Sequence, residues 1–93
     1  MATRKRADEE LSLFCKALGH PIRVEIVRIL LRRRECGCGD LVDELPVAQS
    51  TVSQHLKVLK HAGLIVGEVE GPRRGYGLNR DALERLKELI AEL

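Results

Sequence analysis

Aromatic side chains are nearly missing from these 93 residues: there is no tryptophan, and Phe14 and Tyr76 stand alone. Modules that stack the bases of single-stranded DNA or RNA need aromatic platforms, so such partners are poorly supported. No apolar run is long enough to span a bilayer, and the N-terminus lacks the apolar core of a signal peptide. Both absences predict a cytoplasmic protein with no membrane partner. Cysteine is scarce as well. Cys15, Cys36 and Cys38 are too few for a four-thiolate zinc site and, in the cytosol, read as free thiols or ligands rather than disulfides. No Ser-His-Asp pattern, paired-carboxylate site or glycine-rich phosphate loop is evident, which argues against an enzyme.

What is present is 44% apolar content, enough for one domain with one modest core. The net charge of +2 is unevenly spread. Residues 49–80 carry five basic and two acidic side chains, whereas residues 81–93 carry two basic and four acidic ones.

The basic part contains the most informative stretch, Gly39 to Leu64, which reads as two short helices joined by a tight break at Leu45-Pro46-Val47-Ala48. In the second helix Val52, Leu56, Leu59 and Gly63 follow the spacing of a buried stripe. Ser50, Thr51, Ser53, Gln54 and Lys57 fall on the outward side. Short hydroxyls and an amide exchange hydrogen bonds with base edges and phosphates, so the pair predicts a helix-turn-helix whose second helix enters a DNA major groove. Gln49 begins that helix and joins the candidate DNA contacts. His55, at the edge of the buried stripe, reads either as a phosphate contact or as a structural hydrogen-bonder.

Around this motif the chain divides as follows. Residues 1–7 read as a basic flexible tail, solvated or adding phosphate contacts, and residues 8–93 as a single domain. Leu11, Phe14, Cys15 and Leu18 predict a first helix with Asp8, Glu9 and Glu10 in its opening turn and Cys15 on its buried stripe. Gly19 suits a left-handed helix stop, and His20-Pro21 marks the corner into a second helix that buries Ile22, Ile26, Ile29 and Leu30. Its Arg32-Arg33-Arg34 end is either solvated and favoured by the helix dipole, or it contacts phosphate or acidifies the cysteines that follow. After the helix-turn-helix, Leu64-Ile65-Val66 and Arg74 to Leu78 form a hairpin with a basic tip. There Arg73 and Arg74 are candidate minor-groove or phosphate contacts, with a solvated tip as the alternative. Asn79 caps a last helix with a Leu83, Leu86, Ile90 and Leu93 stripe. The fold expected is mainly α with a small β-hairpin, a winged helix-turn-helix in the order α-α-α-α-β-β-α. The first and last helices offer more apolar face than one small core covers, so a two-fold homodimer through Leu11, Phe14, Leu86, Ile90 and Leu93 is expected.

Cys36-Gly37-Cys38 is the most pointed chemical feature. Residues two apart on a regular helix project about 200° apart, so both sulfurs reach one ion only where the helix starts late or unwinds. A soft ion accepting three sulfurs is the better match, with Cys15 as the remaining sulfur, from the same chain or a partner. The bland alternative makes Cys36 and Cys38 small turn residues and Cys15 a core filler.

In this order the pieces resemble the ArsR/SmtB family of bacterial winged-helix repressors. Leu18-Gly19-His20-Pro21-Ile22-Arg23 is similar to its opening signature, Glu35 to Leu41 to its metal-binding box, and Ser50 to Leu59 to its recognition helix. The resemblance implies a homodimer on palindromic double-stranded operator DNA that lets go when a metal or metalloid binds. In that family the cysteine box takes arsenite, antimonite, cadmium or lead. Arsenite-type boxes often carry a third cysteine where this chain has Leu41, some relatives have hairpin cysteines where it has Gly75 and Gly77, and the last helix lacks the histidines of zinc-type sites. Arsenite or antimonite on Cys36, Cys38 and Cys15 is therefore the leading expectation. A thiol redox switch using the same cysteines is the alternative, and a scaffold that no longer binds DNA is a third reading.

Overall fold

A computed structural model describes residues 2–33, 36–68 and 75–93, and within them the side chains of all but Ala2, Thr3, Cys38 and Glu68. Arg34, Arg73 and Arg74 lie outside the described residues, as does the hairpin tip. The helices α1 (Ala2–Leu18), α2 (Pro21–Arg32), α3 (Cys38–Glu44) and α4 (Gln49–His61) precede strands β1 (Ile65–Glu68) and β2 (Gly75–Leu78), and helix α5 (Arg80–Ala91) closes the chain. This is the expected winged order. The strands pair antiparallel with Ile65 opposite Leu78 and Gly67 opposite Tyr76.

The core is aliphatic because the sequence offers little else. Ile26, Ile29 and Leu30 of α2 meet Leu41 of α3, Val52 and Leu59 of α4 and Leu64 before β1, all with no measurable exposure. Burying each such side chain stabilises by about 1.5–3 kcal/mol, so the stripe on α4 holds that helix in place whatever its polar face does. Local chemistry sets the corners. His20 is the N-cap of α2, with its Nδ1 accepting from the Ile22 amide at 3.0 Å, and Pro21 opens the helix. Asn79 caps α5.

Several expectations are corrected. Helix α1 begins at Ala2 rather than Asp8, so residues 2–7 of the stretch expected as a flexible tail form its first turns, and no acid lies in its opening turn. Ala, Arg and Lys are good helix formers, and a helix anchored further along propagates through them. Cys15 is exposed. The buried stripe of α1 runs through Phe14 and Ala17, flanked by half-buried Ala7, Leu11 and Leu18, and a helical step of 100° carries Cys15 to its edge and outward. Among the described residues the left-handed glycine is Gly63, at φ 82°, rather than Gly19. Phe14 and Leu86, expected at a dimer interface, are only 6% and 3% exposed because α1 and α5 pack on each other within the chain. Leu89, outside the expected stripe, is buried on α5 as well, while Ile90 and Leu93 of that stripe are exposed.

Candidate nucleic-acid interface and inducer site

The break between α3 and α4 positions the candidate DNA face. Leu45 is buried while Pro46 and Ala48 are exposed, so α4 leaves the core at a fixed angle with Val52, Leu56 and Leu59 inward. Gln49, Ser50, Gln54 and Lys57 are exposed, and Thr51 and Ser53 are half-buried. Six of the expected contacts thus share one helix. No side chain caps α4, whose N-cap is Ala48, leaving its first amides and positive dipole end open to an anion.

His55 is turned the other way. Its Nδ1 lies 3.0 Å from Nη1 of Arg23, and its ring sits 4.4 Å from that of His20. Of the two roles open to it, the geometry shows the structural hydrogen bond. Burial, and then the charges of His20 and Arg23, push the imidazole below the ordinary histidine range. Arg23 also donates through Nε to the Ala17 carbonyl at 2.6 Å, closing the end of α1.

The cysteine box leads into the first turn of α3. Cys36 is extended and exchanges two backbone hydrogen bonds with Tyr76, its amide to the Tyr76 carbonyl at 3.0 Å and the Tyr76 amide to its own carbonyl at 2.9 Å. Gly37 remains extended and α3 starts at Cys38. The Cys36 side chain is 2% exposed. Burial pushes its thiol up; the Arg33 guanidinium, 3.9 Å from Sγ, pulls it down without prevailing, and Asp40 and Glu44 add to the rise. The arginine run therefore does not acidify Cys36 overall. Its described members pair with Glu44, Arg33 at 3.0 Å and Arg32 at 3.7 Å. Cys15 stands apart on the exposed side of α1, and among the described residues no three His, Cys, Asp or Glu side chains cluster closely enough to hold a metal. Leu41, within the box, is fully buried in the core.

With helix-turn-helix, wing and cysteine box in place, the likeness to known proteins is specific. Residues 20–66 match the model of the bacterial regulatory protein arsR family. The chain belongs to that family. It is 40% identical over 72 residues to the arsenical resistance operon repressor of Bacillus subtilis, covering 76% of this chain and 68% of that protein. It is 48% identical over 63 residues to the HTH-type transcriptional repressor SmtB of Mycobacterium tuberculosis, covering 68% of this chain but 46% of that one. A crystal structure of a possible transcriptional regulator for arsenical resistance superposes with a TM-score of 0.74 at 31% identity, over 83% of this chain and 79% of that chain.

This arsR-family chain is accordingly a DNA-binding transcriptional repressor and not an enzyme. Among its described residues, no helix is long and apolar enough to cross a membrane. Two residues with structural roles at these sites escaped sequence reasoning. Arg23 was visible only as the last residue of the opening signature, and Tyr76, the lone aromatic of the hairpin, gave no hint of its pairing with Cys36.

Proposed function

We propose that the protein represses transcription as a two-fold dimer on a palindromic duplex operator and is released by a thiophilic metalloid, arsenite or antimonite, bound at Cys36 and Cys38. Gln49, Ser50, Thr51, Ser53, Gln54 and Lys57 contact the DNA, with Arg73 and Arg74 as wing contacts. The observation that carries the inducer reading is the late start of α3. Cys36 and Gly37 are extended and α3 begins only at Cys38, so the two cysteines do not both lie on one continuous helix, the arrangement that would set residues two apart on opposed sides. Cys15, exposed on α1, is the candidate third sulfur.

The protonation of Cys36 favours a metalloid over cadmium or lead. A divalent cation must displace a proton from each thiol, and burial raises that cost at Cys36. Arsenous acid exchanges a hydroxyl for each sulfur, the thiol proton leaving with that hydroxyl as water. The same raised pKa weighs against the redox alternative, because peroxide attacks thiolate. Release follows from position: drawing Cys36 toward Cys38 strains the bridge to Tyr76 and the first turn of α3, and α3 supports α4. Dimerisation uses the exposed ends of the α1–α5 pair, where Ile90 is 49% and Leu93 91% exposed.

The test is fluorescence anisotropy of the reduced protein on its own upstream promoter. Binding lost on stoichiometric arsenite and restored by a dithiol chelator is expected, with the response abolished in the Cys36→Ser, Cys38→Ser double variant. An intact response in that variant refutes the inducer site. A monomer in sedimentation at about tens of micromolar, the low-affinity end of specific association, refutes the dimer.

A further inference from the structure

Arg23 holds three pieces of structure together. Its guanidinium donates to the carbonyls of Ala17 at 2.6 Å and Lys16 at 3.5 Å, both in the last turn of α1, and reaches His55 Nδ1, on the recognition helix, at 3.0 Å. Arginine has five donors, no acceptor, and keeps its proton in proteins. His55 Nδ1 must therefore accept, which leaves the proton of its neutral ring on Nε2. His20, whose ring packs against that of His55, is itself fixed because its Nδ1 caps α2.

We propose that Arg23 and His55 are positioning residues: the neutral, Nε2-protonated His55, locked onto Arg23, sets the orientation of α4 that operator binding requires. A proton added at Nδ1 would point at a guanidinium hydrogen, so the contact breaks and α4 loses its tie to the α1–α2 corner. The charged or titratable groups facing His55 are Arg23 from α2 and His20 from its cap, and no acid among the described residues enters its field. From α1 come the two carbonyls already held by Arg23, with the Lys16 side chain lining the neighbouring cavity of about 510 Å3 together with Lys57 and His61. Among the described residues no acid is placed to reward a second cation. His55 thus acts on affinity in the direction opposite to that of a phosphate-contacting histidine, which strengthens binding when it gains a proton.

The inference rests on DNA binding through α4, so one readout is kept free of DNA. In nitrogen-edited NMR of the full chain, His55 is expected as the Nε2–H tautomer titrating below the ordinary value of about 6.5, and Arg23→Gln is expected to raise that pKa. An Nδ1–H tautomer, or a pKa at or above the ordinary one, overturns the proposal even if no DNA binds. The second readout is promoter anisotropy from about pH 8 to about pH 5.5 at constant ionic strength, a range bracketing that ordinary value. His55→Gln keeps an acceptor oxygen for Arg23 but cannot titrate. Its affinity relative to wild type is expected to rise about tenfold per pH unit and protomer once below the folded pKa of His55. Arg23→Gln weakens binding across the whole range, and His61→Gln, at an exposed histidine of the same helix, leaves the wild-type acid loss in place. Wild-type binding that tightens in acid, with the tightening removed by His55→Gln, assigns His55 to phosphate and overturns the clamp.

Discussion

Asn79 is the joint on which the recognition helix, the wing and the last helix meet, and its replacement has a calculable cost. Its Oδ1 accepts from the Ala82 amide at 3.1 Å, capping α5, and its Nδ2 donates to the Gly63 carbonyl at 3.0 Å, at the turn that ends α4. Its own amide donates to Leu64 at 2.8 Å, a bond that any residue except proline keeps. Removing an N-cap side chain costs about 1 kcal/mol, and losing a half-buried amide-to-carbonyl bond costs about 0.5–1.5 kcal/mol. Asn79→Ala should therefore lose about 2 kcal/mol, a drop of about 8–16 °C in Tm for a domain of this size. Asn79→Ser retains the cap and loses only the Gly63 bond, about 1 kcal/mol. Asn79→Asp retains the cap and gains from the helix dipole, but it turns a carboxylate oxygen toward the Gly63 carbonyl and should fall near or below the serine variant. Urea unfolding at fixed protomer concentration, with an unchanged m-value, reads these differences. An alanine variant within about 0.5 kcal/mol of wild type, the scatter of ordinary surface changes, refutes the joint, and a serine variant equal to wild type removes the Gly63 bond from the account.

Three further outcomes are expected. A Cβ added at Gly67 would lie 2.8 Å from Tyr76 Cε1 and 3.0 Å from Cδ1, so Gly67→Ala should lose about 1 kcal/mol net, crowding outweighing the smaller entropy gain. Adding Tyr76→Ala should relieve the crowding, seen as a non-additive double-mutant cycle in urea unfolding. Leu59→Ala, at a fully buried position on α4, should cost about 2–5 kcal/mol by the same assay, whereas truncation of exposed Gln54 should leave stability within about 0.5 kcal/mol and weaken DNA binding instead. Arg33→Gln removes the cation that pulls the Cys36 thiol down, so its pKa should rise further and alkylation at fixed pH should slow; faster alkylation would show that Arg33 acts chiefly as a cover over the sulfur.

The parts legible in the sequence are those whose cause is local. The stripe of Val52, Leu56 and Leu59 fixed both the existence and the inward face of α4, and Leu45-Pro46 located the break before it. His20-Pro21 and Asn79 carried their caps openly. Neighbours distant in sequence decided the rest. Leu11, Phe14, Cys15 and Leu18 satisfy a helical period equally well about two slightly different axes, and the packing of α5, joined to α1 by Arg85 and Glu10 at 3.0 Å, chose the one that exposes Cys15. The same packing consumed Phe14 and Leu86. Arg23 looks like one more solvated helix arginine until the end of α1 and His55 are brought to it. Cys36 and Tyr76 are forty residues apart, and a two-residue bridge leaves no periodicity to detect.

On the proposed reading, that bridge sets how large the inducer response can be. Operator release needs a coupling of about 1–3 kcal/mol between the two sites. The backbone pair between Cys36 and Tyr76 consists of two hydrogen bonds, worth about 1 kcal/mol each, so a metalloid that broke both would account for about 2 kcal/mol of difference between the two states. Strain at α3 then has little left to supply. The path also has an end point in the DNA-binding half: Tyr76 sits opposite Gly67 with its ring packed over it, β1 carries Gly67, and β1 follows α4 through the turn at Gly63. On the proposed reading, inducer binding therefore loosens the wing as well as the recognition helix. Coupling is reciprocal, so operator DNA must weaken arsenite binding by the same factor, about 30-fold for 2 kcal/mol, and Gly67→Ala, which crowds Tyr76 before any inducer arrives, should reduce that factor. Arsenite titrations with and without saturating operator measure it, and equal affinities in the two would remove the bridge from the mechanism.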